Sequence, residues 1–136
     1  MEFHLIDYSG DCFRKGRSSG TNEVPPKRGG KFVQIRSERA EYIVLCPKEL
    51  ARYHANIVER FCREKSGIKG RYNPRRDNYV LESPGWEVAG GGIWEVDEER
   101  KMFYFSGISL AYGRFDPDGL RAKIKGLKPG YSVEIT

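Results

Sequence analysis

The stretch KFVQIRSERAEYIVL, residues 31–45, decides the fold class. It contains two runs rich in β-branched and aromatic residues, 32–36 and 42–45, which are separated by the polar residues 37–41. Two such runs on either side of a short polar segment are typical of neighbouring strands joined by a turn. The stretch therefore predicts a β-hairpin.

Two helices are predicted after this hairpin. Pro47 suits the first turn of a helix, and apolar residues then recur every three or four positions up to Gly67, which predicts an amphipathic helix of about five turns. Asp116 as N-cap and Pro117 as the first helical residue predict a second, shorter helix. Its apolar stripe consists of Leu120, Ile124 and Leu127.

Further strands are predicted in the second half of the chain. The runs 86–89 and 93–96 flank a triple glycine at 90–92, residues 101–109 alternate in polarity, and residues 131–135 form a last strand. Strands and helices are mixed without strict alternation. This favours an α/β (mixed α+β) domain with a single mixed β-sheet of about six strands and one α-helix on each face.

Residues 1–30 are predicted to be an N-terminal extension, largely a loop or mobile basic arm, before a domain over residues 31–136. The segment is rich in Gly, Ser, Pro and basic residues and has no apolar period. The whole chain has a net charge of +5, and residues 8–31 hold six basic and two acidic residues. The basic character is therefore local to this segment.

Neither membrane insertion nor secretion is expected. The longest apolar run, residues 42–46, is far shorter than the roughly 18 residues of a membrane span, and the N-terminus lacks the pattern of a secretory signal. The three cysteines are odd in number and widely spaced, which fits neither a disulfide framework nor a metal site. We therefore expect a cytoplasmic monomer without a bound metal.

Two features could carry chemistry. His54 shares the apolar stripe of the first predicted helix, so it is either a hydrogen-bonded core residue or a buried imidazole available for proton transfer near neutral pH. The segment Ser109–Gly113 follows a predicted strand, precedes a predicted helix and consists mostly of small residues. It is either a plain connecting turn or a turn whose backbone N–H groups point at an anion.

Four segments together resemble the Janus/Ocnus family, which includes the phosphohistidine phosphatases. They are KFVQIR at 31–36, ARYHANI at 51–57, GGG at 90–92 and SLAYG at 109–113, in the order and approximate spacing of that family. The resemblance extends over the predicted domain, to the strand that ends at Ile135. The combination is much more specific than any single segment.

The resemblance implies a metal-independent protein phosphatase that hydrolyses the N–P bond of phosphohistidine without a cofactor. It implies that His54 is the catalytic residue, either as general base or as transient phosphoryl acceptor. It also implies that Lys31 and the loop residues Ser109, Leu110 and Ala111 hold the phosphate. Lysine charge and backbone N–H groups stabilise the oxygens of a transferring phosphoryl group. The substrate would be a phosphorylated protein or a small phosphoramidate.

The chain departs from the family pattern at two positions. Animal members carry an arginine directly after the triple glycine, where this chain has Ile93, and another in the strand before the first helix, where it has Leu45 or Cys46. Loss of one charge-stabilising donor can cost about 2.7–4 kcal/mol of transition-state stabilisation. Weaker activity or a different substrate is therefore expected. Arg114, directly after the loop, is predicted to replace one of these cations.

Two other functions remain open at this point. A module that binds phosphate or phosphoprotein without turnover would explain the absent arginines. A nucleic-acid-binding protein would use the basic arm and the loop KGRYNPRR at 69–76, where a tyrosine lies among cations.

Overall fold

The computed structural model describes residues 2–14, 24–65 and 67–136. Its elements in chain order are β1 (Glu2–Asp7), α1 (Ser9–Arg14), β2 (Lys27–Arg36), β3 (Ala40–Pro47), α2 (His54–Glu64), β4 (Gly70–Tyr72), β5 (Tyr79–Leu81), β6 (Glu87–Asp97), β7 (Met102–Ser106), α3 (Leu120–Leu127) and β8 (Ser132–Ile135).

Six of these strands form one mixed sheet in the order β1-β3-β2-β6-β7-β8. β1 runs parallel to β3 and β8 runs parallel to β7, whereas the other neighbours are antiparallel. β4 and β5 form a separate two-stranded hairpin. The predicted mixed α+β class, with a mixed sheet of about six strands, is confirmed.

The predicted hairpin is β2–β3, and its side chains alternate between two hydrophobic clusters. Val33 and Ile35 belong to one cluster, which also contains the buried residues of α2. Phe32 belongs to the other cluster, which contains Leu120 and Ile124 of α3. This alternation follows from the two-residue period of a strand, and it fixes which side of β2 faces α2.

The expectation of one helix on each face is not confirmed, because a third helix, α1, packs beside β3. None of the helices in the described ranges is long and apolar enough to cross a membrane.

The first predicted helix is shorter than expected, and the prediction of about five turns is wrong. Pro47 is the last residue of β3, where it pairs with Gly30, and α2 spans the 11 residues from His54 to Glu64. The strand continues because its pairing with β2 supplies backbone hydrogen bonds that the local apolar period does not reveal. α2 begins only at His54, where the side chain of Asn56 accepts a hydrogen bond from the N–H of the N-cap residue Tyr53 at 3.1 Å.

The second predicted helix exists but starts later than expected. The Asp116 carboxylate accepts a hydrogen bond from the N–H of Asp118 at 3.0 Å, which is a local turn and not a helix cap. Gly119 then has a φ of +72°, and α3 begins at Leu120. Asp116 and Pro117 therefore belong to the connection between the loop and α3.

In the described part of residues 1–30, regular elements are present where the sequence predicted a loop or mobile basic arm. Residues 2–7 form β1, residues 9–14 form α1, and β2 already begins at Lys27. β1 is held by parallel pairing with β3 about 40 residues later in the chain, as in the pair Glu2 and Ala40, and no local pattern reports such pairing. Residues 15–23 of the predicted arm lie outside the described residues.

Candidate active site

His54 is held at the start of α2 against strand β6. Its side chain is 7% exposed, and its Nε2 lies 2.9 Å from the carbonyl oxygen of Gly92. Because a carbonyl only accepts hydrogen bonds, Nε2 must carry the proton of the neutral ring. Nδ1 is then the nitrogen with the lone pair.

The Nδ1 atom of His54 is accessible. It makes no hydrogen bond to any described residue, and no buried side-chain nitrogen or oxygen in the described residues lacks a partner. Nδ1 must therefore reach the protein surface. A lone-pair nitrogen at the surface of an otherwise buried ring can take a proton or a phosphoryl group from a bound molecule.

The surroundings of His54 favour its neutral form. Burial lowers the pKa of the imidazole below its ordinary value of 6.5, and the nearby charge of Lys31 lowers this pKa further. The hydrogen bond to Gly92 has the opposite effect and offsets only part of the shift. The ring is therefore neutral at physiological pH, as a general base or nucleophile requires.

Gly91 is the point at which His54 and the Ser109–Gly113 loop meet. A Cβ atom on Gly91 would lie 3.0 Å from Cδ2 of His54 and 3.2 Å from Cβ of Ser109, and 2.6 Å from the carbonyl oxygen of Phe32. Any side chain at this position would displace the imidazole, the loop or strand β2. A glycine at residue 91 is therefore required for this close approach, and the triple glycine that contains it lies within strand β6.

The loop is a closed turn. Ser109 and Gly113 exchange backbone hydrogen bonds of 3.1 and 2.7 Å, the carbonyl of Gly113 also accepts one from the N–H of Gly91, and Ser109 Oγ accepts one from the N–H of Tyr112. Ser109 is 1% exposed. Its hydroxyl oxygen thus stabilises the turn from inside.

Two backbone N–H groups of the loop take no part in the hydrogen bonds of the turn. Those of Leu110 and Ala111 make no hydrogen bond to a described residue, whereas the N–H groups of Ser109, Tyr112 and Gly113 are all used within the turn. Adjacent N–H groups without a partner in a tight turn can bind an anion. The resemblance implies that Ser109, Leu110 and Ala111 all hold the phosphate, whereas the N–H group of Ser109 is already bonded to the carbonyl of Gly113.

The β4–β5 hairpin supports the loop from outside. The Tyr112 hydroxyl accepts a hydrogen bond from the N–H of Tyr79 at 2.9 Å and donates one to the Tyr79 carbonyl at 2.8 Å. Burial raises the pKa of the Tyr112 hydroxyl to about 12, so it keeps its proton. Asn78 donates a further hydrogen bond to the carbonyl of Ala111 at 3.2 Å.

Gln34, which the sequence analysis did not single out, fixes the chain just beyond the loop. Its side chain is 0% exposed. Its Oε1 accepts a hydrogen bond from the Asp116 N–H at 2.7 Å, and its Nε2 donates to the Asp116 carbonyl at 3.1 Å and to the buried carboxylate of Glu41 at 3.0 Å. The sequence did offer a signal for this role, because Gln34 is a polar residue within the predicted apolar strand 32–36.

Lys31 lies beside the site and opens onto a cleft. It pairs with Ile93 of β6 and Cys46 of β3, and side chains of directly paired residues share one face of a sheet. This is the face of His54, because Val33 packs with α2 on the same side. Lys31 and Ile93 both line a cleft of about 660 Å³ that continues to Glu95 and Tyr104.

The two positions at which the Janus/Ocnus pattern has arginine differ in their surroundings. Ile93 is directly opposite Lys31 and 48% exposed, so it occupies the accessible wall of the cleft. Cys46 is 1% exposed, and Leu45 is 0% exposed and packs in the cluster that contains α3. A side chain at residue 93 would therefore reach a bound ligand more directly than one at residue 45.

Arg114 is exposed, and its guanidinium has other partners. Nη1 donates a hydrogen bond to the carbonyl of Gly107 at 2.8 Å, and the guanidinium carbon lies 4.1 Å from the centre of the Phe115 ring. None of its hydrogen bonds or ring contacts is with His54, Lys31 or Ser109. Its role as a substitute cation stays a prediction.

No family model and no curated protein matches this chain. In the parts of the chain that the structure describes, no group of three or more His, Cys, Asp or Glu side chains is arranged to hold a metal ion.

Proposed function

We propose that this chain is a phosphohistidine phosphatase of the Janus/Ocnus type that works without a metal or another cofactor. The observation that carries the proposal is the meeting of His54 and Ser109 on either side of Gly91. It joins a buried, neutral imidazole to a turn with two N–H groups that have no partner among the described residues. A base or nucleophile next to an anion-binding turn is the minimum set for phosphoryl transfer.

In this proposal the phosphoryl group lies between the loop and Lys31. The N–H groups of Leu110 and Ala111 donate to two of its oxygens, and the ammonium group of Lys31 neutralises the charge that develops in the transition state. The first turn of α2 adds a favourable electrostatic field for the negatively charged phosphoryl group, because the N-terminus of a helix carries partial positive charge.

Nδ1 of His54 then acts in one of two ways. As a general base it takes a proton from water while the water oxygen bonds to phosphorus, the N–P bond breaks and the departing imidazole of the substrate takes up a proton. As a nucleophile it accepts the phosphoryl group itself and releases it to water in a second step. A phosphorylated His54 trapped on rapid quenching supports the second way, and its absence supports the first.

The decisive experiment is release of phosphate from a phosphohistidine-bearing peptide in the presence of EDTA. The chain has two histidines, so His4→Ala is a matched control: His4 lies on β1 and stacks on Tyr42 with ring centres 4.9 Å apart. We expect wild type and His4→Ala to be active and His54→Ala to be inactive. Equal activity of His54→Ala would overturn the proposal.

A phosphoprotein-binding module without turnover is the second candidate. The observation that favours it is Ile93, an apolar side chain on the wall of the cleft directly opposite Lys31. If loss of a cation here limits turnover, Ile93→Arg should raise kcat by about tenfold or more, since such donors are worth about 10²–10³ in rate where they act. Tight phosphopeptide binding with no turnover by wild type or Ile93→Arg would favour the binding module.

The nucleic-acid alternative has less support. In the basic segment 69–76, Arg71 forms an ion pair with Glu82 at 3.0 Å, and the guanidinium of Arg76 lies 4.3 Å from the centre of the Tyr72 ring. These contacts use a cation and an aromatic face that nucleic acid would need. Binding that weakens steeply with added salt would revive this alternative.

A further inference from the structure

Four of the large apolar side chains that the described residues expose adjoin the candidate site. Tyr53, Ile93, Ile108 and Leu110 are 55%, 48%, 56% and 100% exposed. We call these four the apolar rim. Elsewhere in the described chain, Leu50, Val80 and Leu127 complete the set of exposed large apolar residues.

Each member of the rim is tied to a residue of the site. Tyr53 immediately precedes His54, and Ile108 and Leu110 are the neighbours of Ser109. Ile93 pairs with Lys31, and its Cδ1 lies 3.6 Å from the position of a Cβ atom on Gly107, the residue before Ile108. The rim therefore comes from three separate segments, and each of its members is next to a residue of the proposed phosphate site or pairs with one.

Single exposed apolar residues are ordinary on a protein surface, whereas their concentration around one site marks an interaction surface. Leu110 is the clearest case, because its N–H group has no partner among the described residues while its side chain is completely exposed. A small phosphoramidate would leave these side chains in water. They would lose that exposure only if a larger molecule covered them.

We propose that the apolar rim docks an apolar side chain next to the phosphohistidine of a substrate protein, so that the enzyme prefers phosphohistidine flanked by large apolar residues. The inference rests on the proposed function, because the rim is defined by the phosphate site that it surrounds. It assigns the substrate class as a polypeptide and the flanking residue as the selectivity determinant.

The cleft beside the rim has room for such a chain. Its volume is about 660 Å³, and it extends from Lys31 and Ile93 along β2 and β6 to Glu95 and Tyr104. Lysines and carboxylates both line it, so it favours neither a strongly acidic nor a strongly basic segment. A peptide of mixed composition with an apolar residue beside the phosphohistidine fits both the charges of the cleft and the surface of the rim.

The test compares three substrates: a phosphohistidine peptide with leucine on each side, the same peptide with serine there, and free phosphoramidate. The variants are Ile108→Ser and the milder Ile108→Ala, and the matched control is Leu127→Ser, which is 48% exposed at the end of α3. We expect wild type and Leu127→Ser to prefer the leucine peptide, and Ile108→Ser to lose about tenfold in kcat/KM on it through KM, with a smaller loss in Ile108→Ala, because the buried apolar area is lost. Hydrolysis of phosphoramidate should stay within about twofold, since the Ile108 side chain has no part in the proposed phosphate site.

The outcomes separate the two proposals. Equal losses on phosphoramidate and peptide, or no loss on the leucine peptide, would overturn docking by the rim while leaving the phosphatase intact. If wild type hydrolyses none of the three, the phosphatase proposal fails, and docking is then measured by the affinity of the wild type and the rim variants for the leucine peptide. Tighter binding by wild type would uphold the docking, and equal binding would overturn it.

Discussion

At the scale of single residues, Gly91 is the most sensitive position of the site. The Cβ atom of an alanine would lie within 3.2 Å of His54, Ser109 and the Phe32 carbonyl. Displacement of a reacting group by about 1 Å can cost on the order of 100-fold in rate. We expect Gly91→Ala to reduce kcat/KM for phosphohistidine by at least tenfold, as measured by phosphate release.

Gly126 supplies the control for this substitution. It lies in α3 with no atom within 4 Å of its Cβ position, and an alanine in a helix is favoured by roughly 0.5–1 kcal/mol over glycine. Gly126→Ala should therefore be at least as stable as wild type and fully active. If Gly91→Ala is equally active, the close approach of His54 and Ser109 has no part in function.

The charge of Lys31 sets a second prediction at the residue scale. Burial and this charge lower the pKa of His54 below 6.5, so the neutral imidazole, and with it activity, persists to pH values below 6.5. In Lys31→Met the pKa of His54 rises and the acidic limb of the kcat/KM profile moves to higher pH. If Lys31→Met lowers kcat/KM at every pH without shifting its acidic limb, the charge of Lys31 does not control the pKa of His54.

At the scale of elements, Gln34 links the central strand β2 to the chain that follows the Ser109–Gly113 loop. Gln34→Leu leaves the N–H and carbonyl of Asp116 without these partners, and each unsatisfied buried group costs about 1–3 kcal/mol. We expect a loss of about 2–4 kcal/mol in the free energy of unfolding by urea. We also expect weaker binding of inorganic phosphate, because the end of the loop is no longer fixed.

Arg121→Ala offers a comparison for Gln34→Leu. Arg121 donates a hydrogen bond to the carbonyl of Val133 at 2.9 Å, which joins α3 to β8 away from the loop. Its loss should reduce stability without affecting phosphate binding. Unchanged phosphate affinity in Gln34→Leu would mean that Gln34 supports the fold alone.

At the scale of the whole molecule, two buried groups make stability depend on pH. Burial alone would raise the pKa of Glu41, but hydrogen bonds from Lys123 and Gln34 and the charge of Arg36 lower it below its ordinary 4.5. Both Glu41 and His54 thus have folded pKa values below those of the unfolded chain. Their contributions are complete above the unfolded pKa and are lost as pH falls through the folded pKa.

The free energy of unfolding should therefore fall in two stages on acidification. The first lies below pH 6.5 and belongs to His54, and the second lies below pH 4.5 and belongs to Glu41. Urea unfolding measured across this range should lose the first stage in His54→Ala and the second in Glu41→Gln. A first stage that persists in His54→Ala would show that another group is responsible.

The local sequence determined the elements whose pattern reflects burial of one face. The β2–β3 hairpin, the buried positions Leu120 and Ile124 of α3 and strand β8 could all be predicted, because the period of their apolar residues is the period of the element itself, whereas the predicted third member of the stripe, Leu127, is 48% exposed. The mixed α+β class followed from their order along the chain. The segments around His54, Ser109 and the triple glycine could also be singled out in advance.

Only the tertiary structure decided how these segments meet. The parallel pairing of β1 with β3 and the extension of β3 to Pro47 depend on backbone hydrogen bonds between strands, which the apolar period of one segment does not report. The approach of both His54 and Ser109 to Gly91 and the hydrogen bonds between Gln34 and Asp116 join residues that are distant in sequence. Local patterns report which face of an element is buried, whereas the register between elements is fixed by packing of the whole chain.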